Sequence, residues 1–433
     1  MRLQVPCLDD FESIATPQKR ELIRHICLNF ESPRYTPTCC SRSFSPPITT
    51  GSIVGDGIWK LMSILSTWGP SSELALEINV YSPSDCEHYF KNIYLSSDDV
   101  EHDEDPLTDA CRAGSQYHDP RHGWKHGRQT TAPPPYALDH LFEDIRLSFP
   151  DTLPRVQAVT HLIIRRQLRR RLTWELRELL RAFGRLEQMS FEPWAPYQDA
   201  YKTYHKLTLA FLIQSYLPNT LNRLIAFEDS YEFYDKFLKP PVLIPWYSSA
   251  HNNDGVGVAL AYRSVRLEHL AVSFMVDAEQ VFRHCQAKWI WPKLQSLALT
   301  SQLLQDGREK REQIEALLFQ ASVLARRMPR MHTFVLWNGG KGHACAFIYR
   351  NDGDTASITW RGTWRLELNS REVESWQLTA SKPRFLELEL KQEHIREIIR
   401  SHGDAIYHLK LPCQVIDPAS LWQIRREAYT KAQ

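Results

Sequence analysis

A short phrase, apolar-x-x-apolar-x-apolar, recurs along the whole chain and constrains its fold more than any other feature. It reads Ile23/Ile26/Leu28, Val159/Leu162/Ile164, Leu186/Met189/Phe191, Leu267/Leu270/Val272, Leu294/Leu297/Leu299, Met331/Phe334/Leu336 and Ile406/Leu409/Leu411. Leu221/Leu224/Ala226 and Phe385/Leu388/Leu390 are weaker copies, and Leu76/Ile78 keeps only the last pair. That pair is spaced by two, which puts both side chains on one face of a strand. Most copies are followed by apolar residues at helical spacing. A strand with its return helix cannot bury its apolar face alone and must stack on like neighbours.

From Val159 onward the phrases begin at 159, 186, 221, 267, 294 and 331. The shortest step between them suits the strand and short helix of a leucine-rich repeat, and the longer ones imply longer helices or insertions. The expected fold class is α/β: a divergent leucine-rich-repeat-like solenoid with a parallel sheet on the concave side and helices on the convex side. Helices are expected at 8–14, 58–68, 173–183, 198–216, 309–328, 371–380 and 392–401, and from Ala419, with a loop at 31–56. Strands are expected at 74–81, 385–390 and 406–411. Alternating runs around Asn351-Asp352-Gly353-Asp354 predict a hairpin, because Asp-Gly supplies the positive φ of a tight turn. A third antiparallel strand is expected at 364–368.

The chain thus reads as one repeat domain over 1–433 with a β-hairpin insertion at 344–368. A second insertion, at 96–136, holds the acidic block Asp98, Asp99, Glu101, Asp103, Glu104, Asp105 and then Pro133-Pro134-Pro135. It lacks the apolar residues to offset its ordering entropy and is expected to be disordered or loosely ordered.

A formal net charge of +1 gives the whole molecule no bias toward nucleic acid or membrane, so any such bias is local. No stretch approaches the ~20 apolar residues of a spanning helix, and no secretory leader is read at the N-terminus. Nine scattered cysteines, several on strand phrases (Cys27, Cys345), suggest buried thiols in a reducing compartment. The expected location is intracellular, cytoplasmic or nuclear, without membrane contact.

Candidate chemistry is sparse. Nine arginines lie between Arg155 and Arg185, including Arg169-Arg170-Arg171, against only Glu175 and Glu178. They could hold a phosphate backbone or an acidic partner, but a solvated helix face explains them better and nucleic acid is the less favoured partner. His118, His122 and His126 have metal-ligand spacing for a helix, yet Pro120, Gly123 and Gly127 argue against that helix, so no metal is expected. Gly255-Val256-Gly257 and Gly339-Gly340-Lys341-Gly342 are incomplete fragments of nucleotide-binding loops and read better as turns. Nothing assembles a nucleophile, a base and an orienting group. The expectation is a protein without a cofactor that is not an enzyme.

What remains is a surface. With the apolar pair of each phrase in the core, the following residues line the opposite, concave face. Arg165, Glu192, Phe227, Ser273, Thr300 and Trp337 are the candidate partner-binding residues, in a shallow trough with Phe227 and Trp337 as aromatic walls. The competing expectation is that a long insertion or the C-terminal tail covers this face.

Cys7-Leu8-Asp9-Asp10-Phe11-Glu12, the run His25 to Tyr35, Gly57-Ile58-Trp59-Lys60-Leu61 through Trp68, Tyr81-Ser82-Pro83-Ser84-Asp85 and Thr359-Trp360-Arg361-Gly362-Thr363-Trp364 carry a resemblance. Together they resemble an uncharacterised family of filamentous-fungal F-box-like proteins, over essentially the whole chain. The resemblance implies a helical F-box followed by a leucine-rich-repeat-like body that holds a ubiquitin-ligase substrate. No F-box-type opening is read before Arg2 or elsewhere, so a Skp-type adaptor is an expected partner only if such a segment lies upstream.

Overall fold

The computed structural model describes residues 1–40, 49–70, 73–93, 117–142, 144–196, 199–230, 254–380 and 387–429. The chain opens with β1 (Arg2–Gln4), α1 (Leu8–Ile14), the single turn α2 (Pro17–Arg20), β2 (His25–Glu31), α3 (Thr49–Ser66) and β3 (Leu74–Tyr81). A small hairpin of β4 (Trp124–Lys125) and β5 (Arg128–Gln129), then α4 (Pro135–Leu141), precede β6 (Val159–Ile164). Helix and strand then alternate. They run α5 (Leu176–Ala182), β7 (Gln188–Phe191), α6 (Asp199–Ser215), β8 (Arg223–Phe227), α7 (Gly255–Ser264), β9 (His269–Ser273), α8 (Ala278–Arg283), β10 (Ser296–Thr300) and α9 (Arg311–Ala325). β11 (Thr333–Gly340), β12 (His343–Asn351) and β13 (Ala356–Gly362) follow one another directly. α10 (Ser370–Ala380), β14 (Leu388–His394), α11 (His402–Leu409) and α12 (Pro418–Tyr429) come last.

Among the described residues, twelve strands, all but β4 and β5, form one sheet whose spatial order is the chain order. Every pairing is parallel except the two that β12 makes with β11 and β13. The fold is therefore α/β, with a large and mostly parallel sheet. The recurring phrase sets its register: Ile26, Leu76, Leu162, Met189, Leu224, Leu270, Leu297 and Phe334 stand side by side across eight strands. A one-residue slip would turn this row to the other face, at about 1.5–3 kcal/mol for each large side chain exposed. The row faces one large core shared with Leu61, Leu179, Leu212, Leu260, Leu317 and Trp376 of the crossover helices.

Two tight turns set the direction of β12. Gly342 (φ 86°) closes the β11–β12 link and Gly353 (φ 95°) the β12–β13 link, a backbone region that glycine enters without a Cβ penalty. Gly339 and Gly340 belong to β11, so the Gly339-Gly340-Lys341-Gly342 run is strand end plus turn. The hairpin is part of the main sheet, between β11 and β14, and residues 364–368 form no strand.

Other expectations need correction. Helix α3 begins at Thr49, inside the stretch read as loop. Its glycines disguise it, and they are there for close approach. A Cβ on Gly51 would sit 2.0 Å from the Arg146 carbonyl oxygen, and one on Gly55 1.9 Å from that of Ser148. Residues 406–411 are not a strand, because Ile406 and Leu409 lie in α11. Spacing by three serves helix and strand phrases alike, and Ser401, whose side chain accepts the Asp404 N–H, caps the helix. The expected helix at 392–401 is instead the end of β14 and an irregular stretch. Residues 117–136 of the expected insertion form a 3-10 turn, the β4–β5 hairpin and the start of α4; residues 96–116, and Phe385, lie outside the described residues. His118 precedes that turn, His122 lies in it and His126 in the hairpin, so the three share no helix. Gly255-Val256-Gly257 opens α7.

Among the described residues, no helix is long and apolar enough to cross a membrane.

Candidate functional site

The sheet face turned away from the crossover helices is where a partner was expected. Its half over β8–β12 is covered by the C-terminal segment. Phe227, Ala298, Val335 and Trp337 form a second core with Ile399, Ile406, Leu409 and Ile424. Phe274 adopts a left-handed conformation (φ 60°), costly for a bulky residue. Its N–H donates to the Thr300 hydroxyl at 2.8 Å, and its ring packs against Phe227, Trp337 and His402. Ser273 and Trp337 are fully buried, Glu192 and Thr300 nearly so. Arg165 reaches Glu77 at 3.2 Å and Asp417 at 3.1 Å. The six candidate residues do lie on one face of the sheet, but that face is not free.

The arginine-rich segment explains what holds the cover down. Arg166 pairs with Asp229 just past β8 and with Glu427 of α12, at 2.9 Å for the latter. Arg169 reaches the other oxygen of Glu427 at 2.7 Å. Arg170 makes two bonds to Asp85, at 2.9 and 3.3 Å, and Arg171 two to Asp144, at 2.7 and 3.3 Å. Arg165–Arg171 is thus no solvated helix face, and its charges are answered by carboxylates from four other parts of the chain. Burial disfavours the charge on Arg166, but Asp229 and Glu427 outweigh it and raise its pKa. Burial would raise Asp229, but Arg166 and His402 hold it well below the usual carboxylate range.

Glu192 is the exception. It accepts the backbone N–H of Arg166 and of Asp417 and the hydroxyl of Ser420. Burial, with the Asp417 carboxylate beside it, still pushes it up to about 7. A folded pKa above the unfolded value means that the proton stabilises the fold. Its contribution is complete below pH 4.5, the ordinary value of a glutamate side chain, and disappears as pH rises through about 7. Relative to E192Q, wild-type stability should decline between pH 5 and 8. Thermal melts of both proteins across that range check this, and parallel curves would refute it.

The outer surface of the helical layer has a different character. α6 exposes Tyr204 (62%), Leu207 (53%) and Phe211 (43%) at i, i+3 and i+7, one stripe along the helix. Its opposite side buries Leu209, Leu212 and Ile213 in the main core. Trp174, 38% exposed, stacks on Phe211 with ring centroids 5.8 Å apart and planes 17° from parallel. The Arg177 guanidinium lies over Trp174 at 4.2 Å, and that of Arg181 over Tyr216 at 4.7 Å. Glu178 bonds to both arginines.

Residues 216–417 match a family of unknown function (DUF6546). The match covers just under half of the chain. It includes Phe227, Ser273, Thr300 and Trp337, and leaves out Arg165–Arg171 and the whole of α6. No curated protein matches the chain. No solved structure matches it either.

The sequence predicts α6 as a helix, with large apolar residues on both of its sides. Which side faces water is not legible there, since Tyr204 and Phe211 look as suited to a core as Leu209 and Leu212. Among the described residues, no group of three or more His, Cys, Asp or Glu side chains could hold a metal ion.

Proposed function

We propose that this chain is a non-enzymatic protein-interaction module that engages its partner through the outer face of α6. The observation that carries this is the Tyr204–Leu207–Phe211 stripe, extended by Trp174 and rimmed by Arg177 and Arg181. Exposed apolar patches of this kind mark interaction sites, and aromatic and arginine side chains dominate their energetics. A complementary partner presents apolar side chains for the stripe and carboxylates for the arginine rim. Twelve strands in chain order, with crossover helices packed on one face, support a divergent leucine-rich-repeat-like solenoid. With the resemblance to F-box-like proteins, the module is the substrate-holding part of a ubiquitin-ligase receptor. Its non-enzymatic character is supported by the thiols, since burial pushes Cys285 and Cys345 up to about 12 and Cys413 to about 11. Such groups are poor nucleophiles at neutral pH.

The test is proximity labelling in cells with wild type and the L207E/F211E double variant. Leu207 is exposed and Phe211 partly so, with its stack on Trp174 at the surface, so the variant should still fold, with a melting temperature lowered by no more than a few degrees. Losing two anchors should weaken a specific partner by about thirtyfold or more. An unchanged partner set would sink the proposal.

Arg177 over a stacked Trp174–Phe211 pair also favours a second reading, single-stranded nucleic acid held by stacking. Binding to short single strands that falls steeply with salt would select it.

A further inference from the structure

One row of the sheet has no role in either reading. His161, Gln188, Arg223, His269 and Ser296 stand in register on neighbouring strands β6–β10. Each occupies the x just before the second apolar residue of its phrase, so each points away from the crossover helices. His161, Gln188, Ser190 and Arg223, with Met189 and Ile225, line a cavity of about 120 Å³ that Gln414 of the covering segment also borders; Gln188 and Gln414 are exposed, so the cavity opens to solvent beside them. By the ~30 Å³ that a water takes in the liquid, the space suits roughly four waters or one small ion, and no nucleoside.

The charge balance inside is one-sided. The Arg223 guanidinium has no hydrogen bond or ion pair with any described residue. Glu77, the nearest acidic influence on His161, is already engaged by His25 at 2.9 Å and Arg165 at 3.2 Å. Burial and then Arg223 hold His161 down to about 4 and lower His269 as well, so both rings are neutral at pH 7. His161 Nε2 lies 3.1 Å from Ser190 Oγ. With the ring proton on Nε2, His161 donates to Ser190, and the serine hydroxyl is free to donate into the cavity. The result is one cation without a counter-charge, beside neutral donors on the sheet and on the covering segment.

We propose that this cavity binds a phosphate-sized oxyanion, with Arg223 as counter-charge and Ser190, Gln188 and Gln414 as hydrogen-bond donors. Donors come from both the sheet and the covering segment, enough to meet the several oxygens of a tetrahedral ion. The guanidinium supplies the charge-assisted bonds that make such sites strong. The site is independent of the α6 face and needs no partner protein.

The test is calorimetric titration of the full chain with inorganic phosphate, with acetate and O-phosphoserine as comparison ligands. Phosphate should bind saturably and more tightly than acetate. R223Q should lose about tenfold or more in affinity and S190A less, as expected for removing a charged and a neutral donor. Phosphoserine binding as well as phosphate identifies a phosphoryl end as the ligand, and its failure to bind identifies the free ion. A second readout needs no variant: phosphate should shift the His161 ring resonances of wild type and raise the pKa of that ring. No saturation at millimolar phosphate, equal binding by R223Q, or a His161 signal blind to phosphate would each overturn the assignment.

Discussion

Arg166→Ala should destabilise the protein by about 3–5 kcal/mol, the usual cost of removing one partner from a buried ion pair. The side chain is almost wholly inside the protein and answers two carboxylates, Asp229 past β8 and Glu427 on α12. It also lies over the Trp194 ring at 4.7 Å, and its carbonyl accepts the Trp194 indole N–H. Without it, Asp229 loses its guanidinium partner and retains the pair with His402, and Glu427 loses one of its two arginines and retains Arg169. Both carboxylates stay buried with too little positive charge beside them, and that residual penalty makes the effect large. Arg181→Ala is the matching control. Arg181 is more than half exposed, and its pair with Glu178 is of the surface kind, worth at most about 1 kcal/mol. Denaturant unfolding of the two variants should separate them clearly. A loss below about 1 kcal/mol for R166A, within the range of surface pairs, would mean that the segment carrying α12 is not latched as described.

The same cluster shows where sequence patterning stops being informative. Strand positions and register were legible because the phrase is local: six residues fix which side chains face the core and which neighbour lies opposite. Arg166 and Arg169-Arg170-Arg171 were misread because their partners are remote. Asp229 is 63 residues from Arg166, and Glu427 is 261. A linear run of arginines looks like an uncompensated basic patch until the fold brings those carboxylates in. The C-terminal cover failed for a related reason, since the apolar spacing of Ile406 and Leu409 fits a strand phrase as well as a helix, and only packing decides. The polar row at His161, Gln188 and Arg223 could have been found. Its signal is the x before the second apolar residue, which is polar in copy after copy of the phrase, while attention to the last pair selects Ser273 and Trp337 instead. The sidedness of α6 had no local signal, because both of its faces carry large apolar residues.

Trp337→Ala is the sharpest test of whether the sheet face is covered. On an open face, Trp337 would be an aromatic anchor whose removal lowers partner affinity and leaves stability nearly unchanged. In the structure it is fully buried, with Phe274 at 5.1 Å and apolar residues of the C-terminal segment in the same core. Deleting its ring there removes the packing of a large side chain and leaves a cavity, at about 3–5 kcal/mol. Trp337→Phe separates packing from hydrogen bonding. The indole N–H has no hydrogen-bond partner, so phenylalanine gives up volume but no bond. Its cost should fall well below that of W337A, at about 1–2.5 kcal/mol, since a smaller cavity is left and no bond is lost. Denaturant unfolding of wild type, W337A and W337F gives the ranking directly. If W337A unfolds like wild type, the C-terminal segment does not cover the face in solution, and Phe227, Ser273 and Trp337 become available to a partner after all.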